Sequence, residues 1–310
     1  MRPDLPARVT IREVGPRDGL QAEKPLPVED RASLIDALSA TGVPKIEAAS
    51  FVSSKAVPAM ADAAEVWARV NRIEAVAYSA LVPNRRGAEA AVEAGGFASL
   101  QAFLAASDGY NRHNVGKSVE ESVEDVRAVV DVAHAAGLPV ECSISSSFGD
   151  PYEGDVAPER IVEVARWLLE AGVDALSIAD TTGMATPTRV WDVIGLLRER
   201  LPEAALSLHL HDTRGTAMAN ALAALEIGVT EFDASIGGLG GSPFAPPGAN
   251  GNLATEDLVH MLTDMGIETG IDLDRVLEAA RLTEELVGHP LAGQVSTSGP
   301  RWRVRDPGPG

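Results

Sequence analysis

Apolar positions in this chain fall into two alternating periods. Stretches with helical spacing, rich in alanine, end at a glycine, and each is followed by an apolar residue and a short strand-like run. The junction recurs six times: "SATGVPKIEAAS", "VEAGGFASLQAF", "HAAGLPVECSIS", "LEAGVDALSIAD", "LEIGVTEFDASI" and "TDMGIETG". Gly42, Gly95, Gly137, Gly172, Gly228 and Gly266 are the expected helix stops, because the residue just past a helix often needs positive φ. Starts agree with the stops: Ser118 with Glu121 forms a capping box, Asn84 caps "RRGAEAAVEA", and Thr186 precedes Pro187 at a first-turn position. Strands are predicted at RVTIREV, KIEAAS, EAVAYSALV, SLQAFLAAS, PVECSISSSF, ALSIAD, ALSLHLHD and EFDASIG.

Strands that alternate with helices imply right-handed crossovers and a parallel sheet. Eight such units in about 260 residues suggest closure into a (β/α)8 barrel, with a doubly wound open sheet as the alternative. The expected organisation is one catalytic domain over residues 8–290. "DLDRVLEAARLTEELVG" is an additional C-terminal helix, and residues 291–310 are a loose tail.

In a parallel barrel the active site lies at the C-terminal strand ends, so polar residues there are the candidates. After the first strand come Glu13, Arg17, Asp18 and Gln21. The second offers Glu47, the sixth ends at Asp180, and the seventh ends with His209, His211 and Asp212. Alternation along a strand puts both histidines on one side and Leu208 and Leu210 on the other. The glycine-rich loop after the eighth strand brings Ser242, Asn250 and Asn252 to the same rim. Taken singly, the histidines could be core residues, Asp18-Gly19 a turn and Asp180 the cap of a following turn. Their convergence on one face favours a site. Two histidines, a carboxylate and an amide oxygen suit a hard divalent ion, Mg²⁺ or Mn²⁺. Zinc is the rival, since two histidines and a carboxylate also bind it.

The 310 residues and 45% hydrophobic content are enough for a large core. A formal net charge of −19 argues against nucleic acid or an anionic membrane as partner, so an anionic ligand must find local cations. Cys142 is the only cysteine and reads as a small buried residue; there is no disulfide, and a cytoplasmic location is expected. No stretch approaches the roughly 18 apolar residues of a membrane span.

The motifs "EVGPRDGLQAEK", "IEAASFVSSKAVPAMAD", "DPYEG", "IADTTGMATP", "HLHDTRGTAMAN", "GGLGGSPFAPPGANGNLATEDLVHML" and "GIETGIDL" resemble the 3-hydroxy-3-methylglutaryl-CoA lyase family of metal-dependent TIM barrels, from about residue 9 to residue 288. The resemblance implies metal ligation by Asp18, His209, His211 and Asn252, and Arg17 at the substrate thioester. It places Glu13 and Glu47 close by. From the rim residues together with it, Arg17, Asp18, Glu47, His209 and Ser242 are the expected catalytic groups, Gln21, Glu13 and Asp180 the expected substrate contacts, and Lys24, in a loop after the first strand, a candidate for the CoA phosphates. The resemblance implies retro-Claisen cleavage of a 3-hydroxyacyl-CoA to acetyl-CoA and a keto acid, a role in leucine catabolism and a homo-oligomer, with a dimer expected. The family typically has cysteine where this chain has Ser242. A related substrate (citramalyl-CoA or a longer-branched hydroxyglutaryl-CoA), a condensing enzyme, or a barrel that binds metal and acyl-CoA without turnover are the alternatives.

Overall fold

The computed structural model describes residues 5–241 and 250–303. All eight expected strands form: β1 Thr10–Glu13, β2 Lys45–Ser50, β3 Ala77–Leu81, β4 Ser99–Ala105, β5 Val140–Ser145, β6 Ala175–Asp180, β7 Leu206–Leu210 and β8 Glu231–Ala234. Every neighbouring pair is parallel, and β8 pairs with β1, with Ile11 opposite Phe232, so the sheet closes into a barrel. The open-sheet alternative is excluded.

The helices are α1 Val28–Ser39, α2 Ala63–Arg69, α3 Arg85–Ala94, α4 Asp108–Val115, α5 Val119–Ala135, α6 Pro158–Glu170, α7 Pro187–Arg200, α8 Ala217–Glu226, α9 Thr255–Asp264, α10 Leu273–Val287 and α11 Gln294–Ser298. The six helix-stop glycines all take positive φ. Ser118 and Glu121 close the capping box of α5, and Asn84 accepts from the Gly87 amide at the start of α3. Thr186 occupies the N-cap position of α7 without a side-chain cap bond.

The strands sort their side chains in an unusual way. Outward positions such as Ile11, Leu100, Cys142, Ile144, Leu176, Leu208 and Phe232 are fully buried among apolar residues. The lumen instead holds charge. Arg12 on β1 donates to both carboxylate oxygens of Asp233 on β8 at 2.8 and 3.0 Å, and to Glu141 on β5 at 2.8 Å. Ser207 on β7 donates to the same Glu141 oxygen at 2.9 Å. A buried charge must be paired and hydrogen-bonded, and this network supplies one cation for two carboxylates beneath the barrel mouth.

The expectation of a loose tail from residue 291 meets ordered structure over the described part of that segment. Residues 291–303 pack back on the barrel: the Gln294 and Val295 amides donate to Asp257 at 3.0 and 2.7 Å, and Trp302 stacks on His260. The cause is tertiary, because α11 is only five residues long and is held by the carboxylates of α9 rather than by its own propensity.

Candidate metal centre and substrate cavity

β1 runs into a single π-helical turn, Gly15–Gly19, in which the Asp18 and Gly19 amides both donate to the Val14 carbonyl. Such wide turns are frequent at functional sites. Here the turn projects Arg17 and Asp18 over the mouth. Arg17 Nη1 donates to Asp18 Oδ1 at 2.5 Å and Nη2 to Glu47 Oε2 at 2.7 Å. A register shift between Glu47 and Ala49 in the β2–β3 pairing lies beside Glu47.

β7 delivers the histidines as alternation requires. Their Nε2 atoms lie 2.9 Å apart, and 3.9 Å (His209) and 3.7 Å (His211) from Asp18 Oδ2. Asp18, His209 and His211 offer ligand atoms that all lie within 4.8 Å of one another. The loop after β8 then returns to the mouth: Leu253 N donates to Leu210 O at 2.9 Å, Asp212 N to Gly251 O at 2.7 Å, and Asn252 bridges His211. Asn252 thereby donates to Asp18 Oδ2 at 2.8 Å, while its Oδ1 is buried without a hydrogen-bond partner.

These residues fit a divalent cation. Two imidazole lone pairs facing at 2.9 Å repel unless a proton or a cation lies between them. His209 Nδ1 is bonded to Asp233 at 3.0 Å, which makes it the donor and leaves Nε2 as the lone pair toward the cluster. Asn252 Oδ1 is an acceptor in need of a partner. Burial alone would raise Asp18, but Arg17 and both histidines hold it well below the usual carboxylate range. Burial also favours the neutral, ligating form of His211. Arg12 and His209 overcome the burial of Asp233 and hold its carboxyl down to about 2.

Beside the cluster opens a cavity of about 420 Å³, lined by Arg17, Asp18, Gln21, Glu47, His209 and His211. This volume suits a small-molecule site. Arg12 and Asp233 line it as well; the sequence reading missed both, although an arginine and an aspartate in mid-strand among apolar neighbours were a usable signal. Glu47 Oε1 is buried without a partner, and burial raises its pKa.

Three expected residues are placed elsewhere. Glu13 does not line the cavity; alternation turns it away from the lumen, where Oε1 accepts from the Gly15 and Ile236 amides and Oε2 from the Thr255 hydroxyl. Asp180 also sits outside the cavity, with Oδ1 capping the Met184 and Ala185 amides and burial raising its pKa to about 6. Lys24 is exposed and off the cavity. Asp212 caps α8 through the Ala217 amide. Ser242 lies outside the described residues. Cys142 is fully buried on the outward face, and burial pushes its thiol up, as suits an inert core residue.

Residues 8–283 match the HMGL-like family. The chain belongs to that family. It is 46% identical over 287 residues to hydroxymethylglutaryl-CoA lyase YngG of Bacillus subtilis, covering 92% of this chain and 95% of that protein. It is 48% identical over 293 residues to the mitochondrial hydroxymethylglutaryl-CoA lyase of Rattus norvegicus, covering 94% and 90%. Among solved structures, an Acinetobacter baumannii HMG-CoA lyase in complex with coenzyme A and 3-methylmalate superposes with a TM-score of 0.91 at 38% identity, covering 97% of this chain and 98% of that one. Among the described residues no helix is long and apolar enough to cross a membrane.

Proposed function

We propose that the protein is a divalent-metal-dependent carbon–carbon lyase that cleaves 3-hydroxy-3-methylglutaryl-CoA to acetyl-CoA and acetoacetate. The observation that carries the reading is the convergence of Asp18, His209 and His211 beside Arg17 and Glu47 at one cavity, in a chain of the HMGL-like family. Asp18, His209, His211 and the Asn252 amide oxygen are the proposed ligands, and this nitrogen–oxygen set favours Mg²⁺ or Mn²⁺ over zinc. When bound, the cation lowers the pKa of a coordinated hydroxyl.

The chain's own groups divide the remaining work. Glu47 Oε1, buried and without a partner, is placed to take the proton of the substrate's 3-hydroxyl. As the C2–C3 bond breaks, its electron pair passes to the thioester oxygen and the 3-carbon becomes the ketone of acetoacetate. Arg17, a permanent cation held between Asp18 and Glu47, stabilises that enolate oxygen, a contribution of several kcal/mol in comparable oxyanion sites. A proton added at C2 completes acetyl-CoA. Ser242, where the resemblance expects cysteine, is the proposed donor or relay. A hydroxyl is a far weaker acid than a thiol of pKa about 8.5, so protonation is the expected slow step.

Purified protein with Mg²⁺ or Mn²⁺ is expected to release acetyl-CoA from hydroxymethylglutaryl-CoA. The same assay with citramalyl-CoA and a longer-branched hydroxyglutaryl-CoA tests for a shifted acyl specificity. Cleavage of none of these thioesters would overturn the lyase reading.

A further inference from the structure

The cavity beside the metal cluster is lined by a second, chemically distinct group of residues. These are Asn114, Val115 and Lys117, in and after α4, and Asp125 on α5. Among the described residues, the arginines and lysines that line the cavity are Arg12, Arg17 and Lys117. Arg12 is buried and Arg17 part-buried, and each is already engaged by two carboxylates. Lys117 is different: its side chain is 43% exposed at the rim, and its one ion pair is with the part-exposed Asp125. The other lysines, Lys24, Lys45 and Lys55, do not line the cavity. In a chain of net charge −19, Lys117 is thus, among the described residues, the one cation lining this cavity that is not already held by two carboxylates.

The turn that carries Lys117 is braced well beyond what a surface connection needs. Asn111, completely buried, accepts from the Ala105 amide at the end of β4 at 3.0 Å. Its amide nitrogen donates to the carbonyls of Lys117 and Ser118 at 3.0 and 2.8 Å and to Ser122 Oγ at 2.7 Å. Asp108 accepts from the Val119 amide at 2.8 Å, and Ser118 and Glu121 close the capping box at the start of α5. Gly116 turns the chain between the helices in the left-handed region, at φ 75°. One buried asparagine therefore ties two carbonyls of this connection to the end of β4, so Lys117 is presented from a fixed point of the backbone.

From this arrangement we infer that Lys117 is the phosphate anchor of the cavity: it binds a phosphate of the CoA moiety while the acyl end lies at the metal cluster. The inference rests on the acyl-CoA reading and names the residue that recognises the carrier. A phosphate outcompetes the single Asp125 carboxylate because it brings more charge and more acceptor oxygens to the same ammonium. Asp125 screens Lys117 in the free protein and opposes the incoming anion.

The test is binding rather than turnover. CoA, dephospho-CoA and pantetheine are titrated calorimetrically into the full-length protein at low ionic strength, with wild type, Lys117→Ala, Lys117→Arg and Asp125→Asn compared. Lys117→Ala is expected to weaken CoA about tenfold, the loss of one charge-assisted contact, and to leave pantetheine unchanged. Lys117→Arg retains most of the affinity, and Asp125→Asn tightens CoA a few-fold. If the alanine effect disappears with dephospho-CoA, the contact is to the 3′-phosphate; if it persists, to the diphosphate. Unchanged CoA affinity in Lys117→Ala, or an equal loss for pantetheine, overturns the inference. Acetyl-CoA release by the wild type is scored separately, so a protein that holds CoA through Lys117 yet cleaves nothing loses the lyase reading and keeps this one.

Discussion

At His209 the two ring nitrogens face different partners: Nδ1 meets the Asp233 carboxylate and Nε2 meets His211 and Asp18. The buried Asp233, itself fixed by Arg12, thus selects the tautomer that can ligate a cation. Asp233→Asn is expected to lower Mn²⁺ affinity by roughly 10–100-fold, the usual cost of removing such an outer partner, measured by equilibrium dialysis. Unchanged affinity would show that His209 is oriented by packing alone. Glu13 carries a signed pH dependence. Burial pushes it from 4.5 up to about 7, so its contribution to stability is complete below pH 4.5 and is lost as pH climbs through about 7. The loss amounts to roughly 3 kcal/mol. Thermal midpoints of Glu13→Gln, which keeps the acceptor for both amides, should vary less over this window than those of the wild type.

The returning segment after β8 is the element that completes the site. Gly251 passes so close to neighbouring backbone that an added Cβ would lie 2.6 Å from the Gly238 carbonyl oxygen and closer still to that of Gly240. Alanine at 251 must push the strand-like segment off β7, and Asn252 with it. Gly251→Ala is expected to destabilise the protein by about 1–3 kcal/mol and to weaken metal binding; a drop in stability alone would separate Asn252 from ligation. The elements themselves were legible in the sequence, because glycine stops and polar caps act locally. The packing of residues 291–303 was not legible, since α11 depends on Asp257 and Glu256, which are about forty residues away. The placement of Glu13 was half legible: alternation along RVTIREV turns it away from the lumen, but only the fold supplies Ile236 and Thr255 as partners.

At the scale of the molecule, the cluster ties together β1, β7 and the segment after β8, which are far apart in sequence. A cation that binds only the folded state at about 100 times its Kd adds about 2.7 kcal/mol. In a chain of this length that corresponds to a rise of roughly 4 °C in the thermal midpoint. Differential scanning fluorimetry with Mn²⁺ against chelator should show this shift in the wild type and none in His211→Ala. A shift retained in the variant removes His211 from the ligand set. The charged lumen belongs to this scale too: Arg12, Glu141 and Asp233 sit on three strands and become one network only when β8 meets β1.

The sequence alone determined the eight strands, the glycine stops of the helices between them and the shared face of His209 and His211. Those follow from periodicity and from the conformations glycine, proline and capping residues allow, all of which act over a few residues. Tertiary structure alone decided which polar residues meet. It drew Arg12 and Asp233 beneath the mouth, turned Glu13 and Asp180 into clips, and left Lys24 off the cavity that Lys117 lines. Ring closure and the return of the loop fix those distances, and no local pattern encodes them.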